Sequence, residues 1–338
     1  MFTQKGTGNV ILNIGFCLIL MILMMPVLPS VATGAPIELK AVTFQARNSP
    51  SVRHFQNFVD RMKEAGKGEI VINWVGGPEV FPAREQAEAL RSGTIDILIA
   101  PINFTAPAFK FNEAFALINS VYNAVEERKN GVFDFIFELH KKHGIYYLGR
   151  HDWRGSFYMW TKFPFTKIDD LKNRKFFLPV GFSLLYKRLD IVGVMMEPIE
   201  VYTGLERGTV EGATQPVFPV RGSGVHELVK YCLDIPMMGS VQVCLVNLDK
   251  WNKIPKHLQD LVAKTYEKWE TEWMVPYQEN LYNTERKGIE DKGVKFVKFS
   301  DPAENTKFYQ IVEETFWEDM AGRMGKETSE KIKKIIGR

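Results

Sequence analysis

The densest cluster of side chains able to do chemistry is Trp153-Arg154-Gly155-Ser156-Phe157-Tyr158-Met159-Trp160. An arginine among aromatic residues suits an organic anion, because a guanidinium pairs bidentately with a carboxylate while rings cover an apolar body. Arg154, Phe157 and Trp160 are therefore candidate ligand contacts. The opposing reading puts Phe157, Met159 or Trp160 in a core, as is usual for aromatic residues of strands, and leaves Arg154 as a surface charge. His140, His143 and His151 lie close enough in sequence to raise a metal site, and the first two share a helix face. No acidic or cysteine cluster nearby completes a zinc set, so solvated or core histidines, and no metal, are expected. The sequence has no P-loop, no Gly-x-Ser-x-Gly elbow, no Gly-x-Gly-x-x-Gly after its first strand and no cysteine beside a helix start. No catalytic residue and no cofactor is assigned, and binding is favoured over catalysis.

The elements that would hold these residues alternate. Ile37 to Val42 reads as a strand, and the polar loop Gln45-Ala46-Arg47-Asn48-Ser49-Pro50 leads to a helix carrying Phe55, Phe58, Val59 and Met62. Gly66-Lys67-Gly68 stops that helix before the strand Ile70 to Trp74, which completes a βαβ unit. Gly76-Gly77-Pro78, a helix with Glu85, Gln86, Ala89 and Leu90, and the strand Ile95 to Ala100 extend it. A second series starts near Tyr146, after the helix Asp134 to Lys142, with strands at Lys175 to Leu178 and Val194 to Met196 and helices at Leu184 to Ile191 and Ile199 to Arg207. From Pro255 to about Lys287 the pattern is helical, with Pro276 expected to kink or divide it. A strand at Val294 to Phe299 follows, and Asp301-Pro302-Ala303-Glu304 predicts an N-cap, a first-turn proline and a capping-box glutamate for a terminal helix. The expected class is α/β, with two lobes, a crossing helical C-terminal region and a ligand cleft between them at the carboxyl ends of strands. Gln45 and Asn103, just beyond strand ends, are further candidate contacts.

The 338 residues suit about two domains, and 45% hydrophobic with 25% charged residues is globular composition. Lys and Arg number 43 against 40 Asp and Glu, a scattered net charge of +3, which argues against a nucleic-acid partner. Lys5, the apolar stretch Val10 to Leu28, and Ala32-Thr33-Gly34-Ala35 follow signal-peptide order, so residues 1–35 predict export to the periplasm; an uncleaved anchor is the competing reading. Cleavage there leaves Cys232 and Cys244, which either pair in an oxidising compartment or stay as two buried thiols.

Three stretches resemble the solute-binding subunits of tripartite ATP-independent periplasmic (TRAP) transporters, the DctP-like family. They are Ile168-Asp169-Asp170-Leu171-Lys172-Asn173-Arg174-Lys175-Phe176, the run Glu200-Val201-Tyr202-Thr203-Gly204-Leu205-Glu206-Arg207-Gly208-Thr209-Val210-Glu211-Gly212, and Gly76-Gly77-Pro78 with Leu90-Arg91-Ser92-Gly93-Thr94-Ile95-Asp96-Ile97. The resemblance implies a two-lobed periplasmic binding protein fold with a long hinge-crossing helix and a central cleft. It implies lobe I from 36–154 and 241–281, lobe II from 155–240 and 282–338, no catalysis, and delivery of a solute to membrane permease subunits. In most members of the family an arginine after the Lys-x pair grips the solute carboxylate; that position is Phe177 here. A second family arginine aligns near Phe157, with Arg154 close by, and the family's amide before a proline falls on Gln215. The solute is then held by Arg154, Arg150, Arg47 or Arg221, or is less acidic. With Phe157, Trp160 and Phe177 lining the cleft, an organic acid with an apolar or aromatic body is expected. A periplasmic enzyme on the same fold and a receptor presenting its solute to a sensor are the alternatives.

Overall fold

The computed structural model describes residues 1–2, 35–49, 52–105 and 123–335. The residues carrying the export-signal expectation, and the side chains of Asn103, Trp153 and Arg154, lie outside the described residues. Ile37–Arg338 forms one compact unit, and no helix among the described residues is long and apolar enough to cross a membrane.

Among the described residues ten strands join in one sheet, in the order β2 (Ile70–Gly76), β1 (Ile37–Thr43), β3 (Ile97–Pro101), β9 (Gly239–Asn247), β4 (Ile145–Thr161), β7 (Gly212–Pro216), β5 (Lys175–Phe177) and β6 (Val192–Val194), with β8 (Tyr231–Leu233) on β4 and β10 (Lys295–Val297) on β8. β1 (Ile37–Thr43) pairs in parallel with β2 (Ile70–Gly76) and β3 (Ile97–Pro101). β5 (Lys175–Phe177) pairs in parallel with β6 (Val192–Val194) and β7 (Gly212–Pro216). Two parallel clusters are thus bridged by long antiparallel strands, β4 (Ile145–Thr161) and β9 (Gly239–Asn247), as the mixed two-lobed plan requires. β4 runs beside β9 as far as Ser156 and then beside β7 from Phe157 onward. The change of partner follows Gly155, whose φ of +72° is a backbone conformation a side chain would resist. β8 (Tyr231–Leu233) and β10 (Lys295–Val297) extend the second cluster.

Helices cover both faces. Phe55, Phe58 and Met62 of the helix Phe55–Gly66 are buried, with Phe55 edge-on to Trp74 at 5.3 Å, so the spacing of that apolar stripe is what docks it. The helical stretch expected from Pro255 spans Lys256–Glu290 without a break. Pro276 does not divide it: the turn before it, Trp269–Met274, is π-helical, which widens the ladder where the ring would otherwise press on a carbonyl. Tyr266 and Trp269 of this helix enter the core of the first cluster, whereas Ile289 enters that of the second. The helix therefore crosses between them, as expected. Asp301 caps the helix Pro302–Met324 by accepting from Ala303 N at 2.9 Å. Glu304 is not used in a capping box; its Oε2 accepts from Ile168 N at 2.9 Å, tying this helix to the 3-10 turn Ile168–Leu171.

Cys232 and Cys244 are unpaired and buried, one on β8 and the other on β9. Burial pushes both thiols up, well away from reactivity.

Candidate functional site

In sheets of this kind ligands gather outside the carboxyl ends of parallel strands. Here those ends are Thr43, Gly76 and Pro101 in the first cluster, and Phe177, Val194 and Pro216 in the second. Arg84, in the loop after β2, reaches Glu197, in the loop after β6, at 3.2 Å, with both side chains exposed.

The antiparallel register sets Phe157 opposite Pro216 and Tyr158 opposite Gln215, and the parallel one sets Phe177 opposite Ala213. Phe157, Gln215 and Phe177 thus lie at one end of the second cluster, Gln215 and Phe177 on one face of the sheet and Phe157 on the other. Phe157 is half-buried, with its ring 5.0 Å from Phe182. Phe177 is 6% exposed and belongs mostly to the core, and its carbonyl accepts the Tyr186 hydroxyl at 2.7 Å. Gln215 is 7% exposed, and its Nε2 is buried with no acceptor. Leaving a buried amide donor unpaired costs roughly 1–3 kcal/mol, so this is a position suited to an acceptor that the described residues do not supply.

Trp160 is displaced from the expected site. It is fully buried, its indole N–H donates to Gln215 O at 2.9 Å, and its ring packs edge-on against Phe296 at 5.5 Å. The reason is depth: Trp160 pairs with Ala213, two residues before Gln215 on the same face, where the second core closes over it. Gln45 is half-buried in the loop after β1, where its Oε1 accepts from Ser49 Oγ at 2.6 Å. The backbone of Asn103 lies in the short helix Ile102–Thr105 and that of Arg154 in β4; their side chains are outside the described residues.

Sequence reasoning missed Gln86. It is 1% exposed, its Nε2 donates to Thr43 O at 3.1 Å and Phe81 O at 2.9 Å, and its Oε1 has no donor. Its polarity within an otherwise amphipathic helix was the available signal. Half-buried Phe44 and Phe104, 4.2 Å apart, add aromatic surface at the ends of β1 and β3.

Two arginines named as substitutes are already engaged. Arg150 and Glu127 form a buried ion pair, each side chain 1% exposed, with Arg150 Nε donating to Glu127 Oε2 at 2.7 Å. Arg221 meets Glu285 at 3.4 Å. Beside the first pair, Arg128 Nε donates to Glu270 Oε2 at 2.6 Å, and Arg150 N to Glu270 Oε1 at 2.5 Å. Burial raises the Glu270 carboxyl to about 7 against the pull of Arg128.

The histidines do not assemble a metal site, and no group of three or more potential ligands exists among the described residues. His140 is buried, and burial lowers it to about 3, so it is neutral and donates through Nδ1 to Ile136 O at 2.9 Å. His151 stacks on His54 at 4.4 Å, and His54 Nε2 donates to His151 O at 3.1 Å.

Two parallel strand clusters bridged by long antiparallel strands and one crossing helix are the plan of a two-lobed binding protein. The chain belongs to the DctP family, the bacterial extracellular solute-binding proteins of family 7, whose family model matches residues 41–322. This is a family of receptors, not of enzymes. An uncharacterized protein of Haemophilus influenzae is 26% identical over 62% of this chain and 63% of its own length, so the chain spans under two thirds of that relative. The fold is shared with a TRAP periplasmic solute-binding protein of Ochrobactrum anthropi, with a TM-score of 0.77 and 18% identity, covering 89% of this chain and 95% of the other. That structure has its C-terminus bound in the ligand-binding pocket. A TRAP periplasmic solute-binding protein of Desulfovibrio salexigens with bound orotic acid has a TM-score of 0.74 and 16% identity, covering 89% of this chain and 97% of the other.

Proposed function

We propose that this chain is an extracytoplasmic receptor that captures a small organic acid with an apolar or aromatic body and delivers it to a TRAP-type membrane permease. In this reading it is exported to the periplasm through its N-terminal signal. Lobe I comprises 36–154 and 241–281, and lobe II comprises 155–240 and 282–338. The observation that carries the reading is the buried Gln215 Nε2, which finds no acceptor among the described residues, at the carboxyl end of β7. A buried donor at a strand end suits an oxygen of a carboxylate or carbonyl. The orotic acid bound by the Desulfovibrio protein supports this solute class. Closure of the two lobes over such a solute follows from contacts made only when both walls touch it.

A thermal-shift screen of the mature protein against aliphatic carboxylates, aromatic carboxylates and neutral solutes tests the reading. A ligand at one hundred times its Kd adds about 2.7 kcal/mol. Aromatic acids are expected to stabilise the chain. Stabilisation by sugar acids or short dicarboxylates alone would keep the receptor and refute the apolar pocket. Delivery is tested by solute uptake in cells lacking the chain, which should fall.

A further inference from the structure

A buried amide orients a carboxylate but does not neutralise it, so the organic-acid reading needs a cation at the cleft. Most arginines with described side chains are committed: Arg84, Arg91, Arg128, Arg150, Arg174, Arg188, Arg221, Arg286 and Arg323 each meet a carboxylate. Of those that do not, Arg53 and Arg61 belong to the helix region that packs behind β2, and Arg207 ends the helix Val201–Glu206. Arg47 differs in position. It follows the carboxyl end of β1, in the loop Gln45 to Ser49, and is exposed.

The ground under Arg47 is built. Its guanidinium carbon lies 5.0 Å from the centre of the Trp74 ring. That ring is held in place because Nε1 donates to Thr43 Oγ1 at 3.1 Å and to Gly76 O at 3.2 Å. Thr43 Oγ1 in turn donates to Gln45 O at 2.8 Å, and Gln86 Nε2 donates to Thr43 O. The loops after β1 and β2 are pressed together so closely that a Cβ on Gly77 would sit 2.4 Å from Gln45 O. A guanidinium over a ring face is restrained by that ring while its N–H edge stays available, which suits bidentate capture of a carboxylate.

Resting on the organic-acid reading, we infer that Arg47 is the group that takes the solute's carboxylate. The first lobe then supplies the charge, and the second lobe, through Gln215, supplies the amide. A solute bridging them needs an acid group at one end and an acceptor on its body. A neutral analogue of the same body should bind far more weakly.

Orotate and uracil, one body with and without a carboxylate, are suitable probes alongside a panel of aromatic and aliphatic acids. Calorimetry on the mature chain should show acids binding and uracil at least about tenfold weaker. Arg47→Ala should weaken the acids about tenfold or more without changing uracil, and Arg47→Lys should recover part of the loss. Circular dichroism melts of the unliganded variants separate this from a role in capping Trp74, which would move stability and leave the acid-to-neutral ratio intact. Unchanged acid binding in Arg47→Ala, with loss in Arg154→Ala, overturns the Arg47 assignment and leaves the organic-acid receptor standing. If the wild-type chain binds no acid of the panel, the organic-acid reading fails and takes Arg47 with it.

Discussion

Replacing Glu127 by glutamine should be among the most damaging single changes outside the aromatic cores. Arg150 and Glu127 are each 1% exposed, and the backbone of Arg150 is fixed on both sides, its N–H by Glu270 and its carbonyl by the Tyr266 hydroxyl at 2.9 Å. The guanidinium cannot swing out to water when its partner loses its charge. Stranding one charge of a buried pair costs about 3–5 kcal/mol. Glutamine keeps one carbonyl acceptor, which places the expectation near the lower bound. For a folded unit of about 300 residues the unfolding entropy is on the order of 0.6 kcal/mol/K, so Tm should fall by about 5 °C. Differential scanning fluorimetry on the unliganded protein reads this directly, and urea titration supplies the free energy. The double variant Glu127→Gln/Arg150→Met should regain most of the loss, because an apolar isostere removes the charge that needs pairing. A fall under about 1 °C in Glu127→Gln, or a double variant as unstable as the single one, would refute the reasoning and mean that water reaches the pair.

Gln215→Leu should raise the unliganded chain's stability by about 1 kcal/mol, because the unpaired donor is gone, while weakening solute binding at least about tenfold; melting and calorimetry on one preparation check both directions. Trp160→Phe should cost about 1–2 kcal/mol through its lost bond to the Gln215 carbonyl and leave solute range unchanged, and altered solute range would return Trp160 to the pocket. Burial raises Glu270 from 4.5 to about 7. The folded chain thus keeps a proton that the unfolded chain releases, so this contribution, up to about 3 kcal/mol, is full below about pH 4.5 and lost as pH rises through 7. Melts from pH 4.5 to 8 should show that decline in the wild type and its absence in Glu270→Gln.

Where local pattern and final burial agree, the fold was legible. The alternation from Ile37, the stripe Phe55, Phe58, Met62 and the stop at Lys67, which adopts a left-handed φ of 44°, all act within a dozen residues. β9 was not, because Val241 to Val246 is buried on both faces and carries no alternation to mark it as a strand. β4 was read only in part. Its Arg150, His151 and Asp152 look like a polar interruption, yet all three are buried, and Glu270, which holds the backbone of Arg150, comes from 120 residues later. The site divides the same way. Gln215 came from the family resemblance and lies at the end of β7, Trp160 went to the core, and the commitments of Arg150 and Arg221 were invisible until Glu127 and Glu285 were placed beside them.

The π turn at Trp269–Met274 has a further consequence for the angle between the two lobes. One extra residue in a helical turn rotates everything after it by about 100° about the axis. Tyr266 and Trp269 are keyed into one core and Ile289 into the other, so the turn works as a phase coupling between two halves of a shaft. Deleting a single residue there would leave each half helical, and would turn Ile289 and Tyr282 out of step with the β-strands they meet.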